Sequence, residues 1–222
     1  MYIEFDLPEI HEHMSGFPQY WLKTLFIQSP SNRYQINALS STYIRLVEAA
    51  LVEYHAGAIK LKEFWSTHSS LNLGAMHRSI SHFETCISNM YRATNCLRRL
   101  RRDRQRDPIS RALGVEKVNF ISDSVTNRFR NIRNEIHHLE EMVMDGRISE
   151  GQWFTLNPNG PEVPHPTEPN QTIKTIDRLV IGDREIKFNE LATWLMEMAN
   201  VAVRITEFLP NGSSKDNDND SA

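Results

Sequence analysis

The residues best suited to do chemistry lie between positions 133 and 138, which read R-N-E-I-H-H. An imidazole titrates near neutral pH, so it can take up or deliver a proton during a reaction. A guanidinium presents a fixed fork of donors that matches the oxygens of a phosphate. One arginine and two histidines within six residues therefore indicate proton transfer beside a bound anion.

The helical period decides which of these side chains lie together. Successive helical residues turn by about 100°, so side chains four positions apart share a face. Arg133 and His137 form one such pair, and Asn134 and His138 form a second pair beside it. Both pairs flank the apolar stripe that this helix buries, so we expect them to face a groove or a partner chain.

This segment resembles the motif of the HEPN superfamily. That motif is an arginine, often followed by a polar residue such as asparagine, and then a histidine after four to six intervening residues. Arg133, Asn134 and His138 match it with four intervening residues, and a second frame runs from Arg130 to His137 with six. We take His138 as the working histidine and His137 as an auxiliary one.

The resemblance implies a compact helical bundle and a metal-independent endoribonuclease that uses the ribose 2′-hydroxyl of its RNA substrate. It also implies a homodimer without a cofactor, and a toxin or defence role under an antitoxin or regulatory protein. The alternative is a non-catalytic helical module that binds RNA or a protein partner, because a fold does not guarantee an activity.

Arginines elsewhere in the chain are candidates for contacts with RNA phosphates. Six arginines lie between positions 98 and 106, among them Arg98, Arg101 and Arg102, and two more, Arg128 and Arg130, precede the motif by about one turn. Each phosphate contact would make binding sensitive to salt. The other interpretation of the cluster is a solvated helix end whose charge offsets the helix dipole.

Metal and cysteine chemistry find little support in the sequence. His11 and His13 share one side only in an extended segment, and they have no evident third ligand nearby. Cys86 and Cys96 lie ten residues apart in one predicted helix, about 15 Å, which is too far for a disulfide. We therefore expect reduced thiols and no metal site.

The elements that position the motif follow from hydrophobic periodicity. Apolar residues at spacings of three and four predict long helices at about 33–65, 76–106, 116–144 and 189–209, with Asp107-Pro108 ending the second and Asn189 capping the last. Five prolines predict a loop over 151–171, and Gly182-Asp183 predicts a small hairpin within 172–188. The expected fold is all-α, an antiparallel bundle of four long helices with a β-hairpin and proline-rich loop inserted before the last.

The chain has the composition of one globular domain, with 40% hydrophobic and 24% charged residues. We expect an N-terminal segment (1–32) packed on a helical domain (33–209, insertion 150–188), followed by a disordered acidic tail (210–222). A net charge of −3 argues against a protein that coats nucleic acid. An acidic N-terminus and the lack of a long apolar run predict a cytoplasmic protein without a membrane span.

Overall fold

The computed structural model describes residues 1–10, 17–18, 21–22, 31–66, 72–103, 107–146 and 156–208. It is mostly helical, as predicted, but it also contains two small sheets. The helices are α1 (Tyr34–Ser66), α2 (Leu73–Leu100), α3 (Pro108–Val115), α4 (Asp123–His137), α5 (Leu139–Met144) and α6 (Phe188–Glu207), with a 3₁₀ turn at Arg101–Asp103. The strands are β1 (Tyr2–Phe5), β2 (Asn157–Asn159), β3 (Glu162–Pro164), β4 (Thr172–Ile176), β5 (Arg178–Ile181) and β6 (Arg184–Lys187).

The first two helices pair along their length and form the largest contact in the fold. Gly57 lies in this contact, where a Cβ would be only 3.1 Å from the Phe83 ring. Ser79 donates a hydrogen bond to the Gly57 carbonyl across this contact (2.9 Å). Helix α6 packs on α1, and α4 packs on α2, so the motif helix lies against the predicted second helix.

Asp107-Pro108 begins a helix, although it was predicted only to end one. Helix α2 ends earlier, at Leu100, and α3 follows. The Asp107 carboxylate accepts from the backbone N–H groups of Ile109 (2.9 Å) and Ser110 (3.1 Å), which makes it the N-cap. Proline fits the first helical position because that position needs no N–H donor.

The predicted third helix, 116–144, is too long at its start and is broken near its end. Helix α4 begins only after Ser122, whose hydroxyl accepts from the Val125 N–H (3.4 Å). Val118 precedes the helix but still packs against the core, which explains why it extended the apolar stripe. The break falls at His138, whose φ of −111° and ψ of 33° are not helical.

Two three-stranded sheets replace the single predicted hairpin. The hairpin is present as β5 and β6, with Gly182 at a φ of 55° in its two-residue turn, as type II′ turns require. Strand β2 adds to β5 in antiparallel orientation. Strand β4 instead joins a second sheet in the order β1-β4-β3, where it is parallel to β1 and antiparallel to β3.

The proline-rich segment is therefore not all loop, because it contributes β2 and β3. Pro158 lies in β2 and Pro164 in β3, and each strand is at the edge of its sheet. An edge strand tolerates proline because one side of its backbone needs no partner in the sheet. The parallel pairing of β1 with β4 also joins the N-terminal segment to this insertion.

The last helix is close to its prediction but begins two residues earlier. Lys187 occupies the cap position predicted for Asn189, and its backbone N–H donates to the Glu190 carboxylate (3.3 Å). The Tyr43 hydroxyl donates to the Met198 carbonyl (3.0 Å) and joins α6 to α1. No helix in the described part of the chain is long and apolar enough to cross a bilayer.

Candidate active-site groove

A groove with a volume of about 530 Å³ runs between α2 and α4. Its α4 wall consists of Arg133, Ile136 and His137. Its α2 wall consists of Glu84, Thr85, Ser88, Asn89, Tyr91 and Arg92. The volume falls in the range of small-ligand pockets, about 300–1,000 Å³. The groove is therefore as large as a typical small-ligand pocket.

The motif residues divide between this groove and the surface beside it. Arg133 and His137 lie on the groove wall, one helical turn apart. Asn134 is exposed, and its side-chain oxygen accepts from the Arg133 guanidinium (3.3 Å). His138 lies beyond the end of α4 and off the groove, with its Nδ1 3.5 Å from a Glu141 carboxylate oxygen. The structure thus places Arg133 beside the histidine that was expected to be auxiliary.

Two ionic contacts hold α4 against the C-terminal half of the chain. The Arg128 guanidinium donates to both carboxylate oxygens of Glu190 (2.9 and 3.0 Å) and to the Glu185 carbonyl (2.7 Å). At the other end of the helix, Glu135 accepts from Arg184 of β6. These contacts fix the rotation of α4 about its axis, which turns Arg133 and His137 toward α2.

The five arginines predicted to bind RNA occupy different settings. Arg128 is tied to Glu190, and its guanidinium lies 5.6 Å from the centre of the Trp194 ring. Arg101 donates to the carbonyls of Gly114 (3.0 Å) and Glu116 (2.8 Å), which anchors the chain after α3. These contacts give both side chains a structural role.

The other three arginines are more accessible to a ligand. Arg98 pairs with Asp123 (2.5 Å), whose carboxylate is 84% exposed. Arg102 and Arg130 are exposed at the surface. Arg104 and Arg106 of the same cluster lie outside the described residues, as do His11, His13 and the predicted tail 210–222.

The α2 wall of the groove was not predicted from the sequence. Glu84, Ser88 and Arg92 recur every four residues, a polar stripe beside the apolar one that was used to predict the helix. Asn89 is a second missed signal, since it is only 9% exposed although it is polar. In α2 these polar residues line the groove.

Cysteine chemistry is not available in this region. Burial raises the pKa of the Cys86 thiol far above its usual range, and burial also raises the pKa of Cys96. Neither side chain is therefore a thiolate at neutral pH, and both are free thiols. Within the described residues, no three histidine, cysteine or carboxylate side chains converge as metal ligands would.

No match was found when the chain was compared with family models, with curated proteins and with solved structures.

Proposed function

We propose that this protein is a HEPN-type, metal-independent endoribonuclease that binds RNA in the groove between α2 and α4. The proposal is supported by one observation above all, the placement of Arg133 and His137 on the same wall of an open groove. Arg133 would hold the phosphate and stabilise the charge that develops on its oxygens. His137 would transfer the proton.

The reaction that fits these groups needs only the RNA itself. A neutral imidazole removes the proton of the 2′-hydroxyl, the 2′-oxygen bonds to the adjacent phosphorus, and the bond to the 5′-oxygen breaks. The products are a 2′,3′-cyclic phosphate and a 5′-hydroxyl that takes its proton from water. A substrate without the 2′-hydroxyl cannot react in this way, so DNA is excluded.

His137 is the proposed proton carrier, and Asn134 supports Arg133. Asn134 accepts from the Arg133 guanidinium and so limits the orientations of that side chain. His138 points to Glu141 and lies off the groove. A homodimer, which the resemblance implies, would place a second copy of these residues on the same particle, and sedimentation of the purified chain measures this.

The test is cleavage of a fluorescently labelled single-stranded RNA in EDTA by the full chain. Arg133→Ala and His137→Ala are expected to lower the rate by at least about 10²-fold. His138→Ala is the matched control, one residue away, and should stay within a few-fold of the wild type. RNA with a single 2′-deoxy nucleotide at the cleaved position should resist cleavage.

Three results would overturn the proposal. Full activity in His137→Ala would remove the assigned proton carrier, and loss of activity in EDTA would contradict a metal-independent mechanism. Inactivity of the wild type at high enzyme concentration, with melting temperatures unchanged among the variants, would favour the non-catalytic binding module.

A further inference from the structure

Three exposed arginines gather beside the groove, on the surface of α1 and α2. Arg92 lies on the groove wall itself, Arg99 follows it by seven residues along α2, and Arg45 is on α1. Burial raises the pKa of the Cys96 thiol, and the charges of these three arginines oppose that rise. All three guanidinium groups are therefore close enough to act on one sulfur atom. Together they form a basic patch (Arg45, Arg92 and Arg99) that continues from the groove.

The fold does not neutralise the basic patch. None of the carboxylates in the described part of the chain forms an ion pair with one of its arginines, and Glu48 is not paired with Arg45 although it lies one turn along α1. Arg98, by contrast, is paired with Asp123. Like charges that share one surface repel each other and attract anions. The basic patch is therefore suited to an anionic ligand.

The two ends of the groove differ in charge. Arg98, near the end of α2, pairs with Asp123 at the start of α4, so the two helices run antiparallel. The groove end that holds His137 therefore lies toward Glu84, which precedes Arg92 by eight residues on the α2 wall. The basic patch lies at the opposite end, about 12 Å along the helix from Glu84. A bound polyanion is attracted out of the groove at that end.

We propose that the basic patch binds the phosphates of a single RNA strand that extends out of the groove past Arg92. This inference rests on the proposed function for the identity of its ligand, but binding can be measured without cleavage. Arg99 is about 10 Å beyond Arg92 along the axis of α2, so the strand must continue beyond the groove to reach it. The contacts are to phosphates, and they add affinity without a preference among the bases.

The test uses oligouridines in which every ribose carries a 2′-O-methyl group, so that none can be cleaved. A dodecamer should bind the double variant Arg45→Gln, Arg99→Gln about ten-fold more weakly than the wild type at low salt. The slope of log affinity against log salt concentration should fall by about 1.4, because each phosphate contact of a single strand contributes about 0.7. A dinucleotide has one phosphate and cannot occupy the groove and the patch together, so its weaker affinity should not change.

Two further variants serve as controls. Arg78→Gln removes an exposed arginine of the same helix that lies before Glu84, away from the basic patch, and should leave dodecamer binding within about two-fold. Arg45→Lys with Arg99→Lys keeps both charges and should retain the wild-type salt slope, since lysine binds a phosphate as a point charge. If the double glutamine variant does not fold, each single variant should lower the slope by about 0.7.

Tripolyphosphate and an oligoaspartate test the other sources of negative charge. Both should bind more weakly than the dodecamer, because neither can place phosphates in the groove and on the basic patch at once. If either binds as tightly as the dodecamer and depends equally on Arg45 and Arg99, the patch serves a compact anion or an acidic peptide and the proposal is wrong.

The outcomes separate this inference from the proposed ribonuclease. Cleavage that needs Arg133 and His137, with a dodecamer affinity and salt slope that do not change in the double glutamine variant, overturns the basic patch alone. Loss of affinity and slope in that variant of a protein that does not cleave RNA supports the patch and overturns the ribonuclease. A wild type that does not bind the dodecamer at low salt, or an equal loss in Arg78→Gln, also overturns the patch.

Discussion

His137 and His138 are adjacent in sequence, but His137 is the last residue of α4 and His138 follows it with dihedral angles that are not helical. The two side chains therefore have different neighbours, since His137 lies on the groove with Arg133 and His138 lies near Glu141. A proton carrier must reach the reacting atoms, so position outweighs residue type here. Spacing in a sequence motif with a flexible gap cannot make this distinction.

Arg128 and Arg130 are two residues apart, but Arg128 is paired with Glu190 and Arg130 is exposed. Substitutions at the two positions should therefore differ in their effect on stability. Arg128→Lys should lower stability by roughly 1 kcal/mol, because lysine cannot reproduce the two-pronged contact with Glu190. Arg130→Ala should leave stability within about 0.5 kcal/mol, because Arg130 is exposed. Urea denaturation measures both.

RNA affinity should respond in the opposite order to these two substitutions. Arg130→Ala should weaken binding and reduce its salt dependence if Arg130 contacts a phosphate. Arg128→Lys should leave both unchanged in the folded protein. An equal effect of the two variants on binding would show that Arg128 is not confined to the structural role described above.

The contribution of Glu190 to the stability of the fold should depend on pH. Burial alone would raise the pKa of Glu190, but the hydrogen bonds and charge of Arg128 outweigh burial and hold that pKa below its usual range. A carboxyl whose pKa is lowered by folding stabilises the protein above its unfolded-state pKa, and this contribution is lost as the pH falls through the folded-state value. Glu190→Gln should therefore cost roughly 1 kcal/mol at pH 7.

The cost of Glu190→Gln should shrink as the pH falls below about 4.3, the ordinary pKa of glutamate. Urea denaturation at pH 7 and at pH 3 to 4 gives the two values. Glu4→Gln is the control, because Glu4 is an exposed carboxyl in β1. A cost that is the same at both pH values would mean that the Glu190 charge does not stabilise the fold.

At the level of elements, the motif helix depends on partners that are far away in the sequence. Glu135 accepts from Arg184, and its second carboxylate oxygen is buried without a hydrogen bond from the described residues. The side chain of Glu135 is only 18% exposed, so it depends on this one cation. The β5–β6 hairpin thus orients α4 through its turn.

Arg184→Ala should therefore destabilise the protein by about 2 kcal/mol, because it leaves the Glu135 charge largely buried and unpaired. Adding Glu135→Gln should recover part of that loss by removing the charge. Asp183→Ala is the matched control in the same turn, since the Asp183 side chain is 89% exposed. Equal stability of the single and double variants in urea denaturation would contradict this account.

The long helices were predictable from the sequence, and the short elements were not. Thirty-three residues of α1 repeat their apolar pattern over many turns, so the prediction was accurate to about one residue at each end. Helix α3 has only eight residues, and its Asp107-Pro108 start also suits a helix end. Strands β2 and β3 have three residues each, too few for an alternating pattern.

At the level of the whole molecule, the N-terminal strand contacts residues that lie more than 160 positions later in the chain. Strand β1 pairs in parallel with β4, so that Tyr2 lies opposite Ile173. The Asp6 backbone N–H continues this pairing by donating to the Ile176 carbonyl (3.1 Å). The Asn189 side chain at the start of α6 donates to the Asp6 carboxylate (3.0 Å).

A pairing across 171 positions leaves no local trace in the sequence, so β1 could be identified only in three dimensions. The groove shows the same limit at the site. Its α4 wall follows from one helix, whereas its α2 wall requires knowing that α2 and α4 are neighbours. The sequence alone could therefore predict the α4 wall of the candidate site but not its α2 wall.

The parallel pairing predicts how the molecule responds to loss of its first six residues. A variant that begins at Met followed by Leu7 would leave the β1-facing edge of β4 without hydrogen-bond partners. It would also uncover the core residues against which the half-buried side chains of Ile3 and Phe5 pack. The melting temperature should fall by several degrees. Amides of Thr172–Ile176 that face β1 should exchange with solvent much faster, while amides of α1 and α2 stay protected.

Hydrogen exchange on the truncated and full-length chains measures this directly, and Glu4→Ala controls for loss of side-chain charge without loss of the strand.

The proposed cleavage of RNA should be retained in the truncated chain at a temperature where it is folded. The reason is that the groove lies between α2 and α4 and takes no wall residue from β1. Loss of protection in α2 or α4 together with β4 would show instead that the sheet and the groove unfold as one cooperative unit, and the strand would then support the site as well as the sheet.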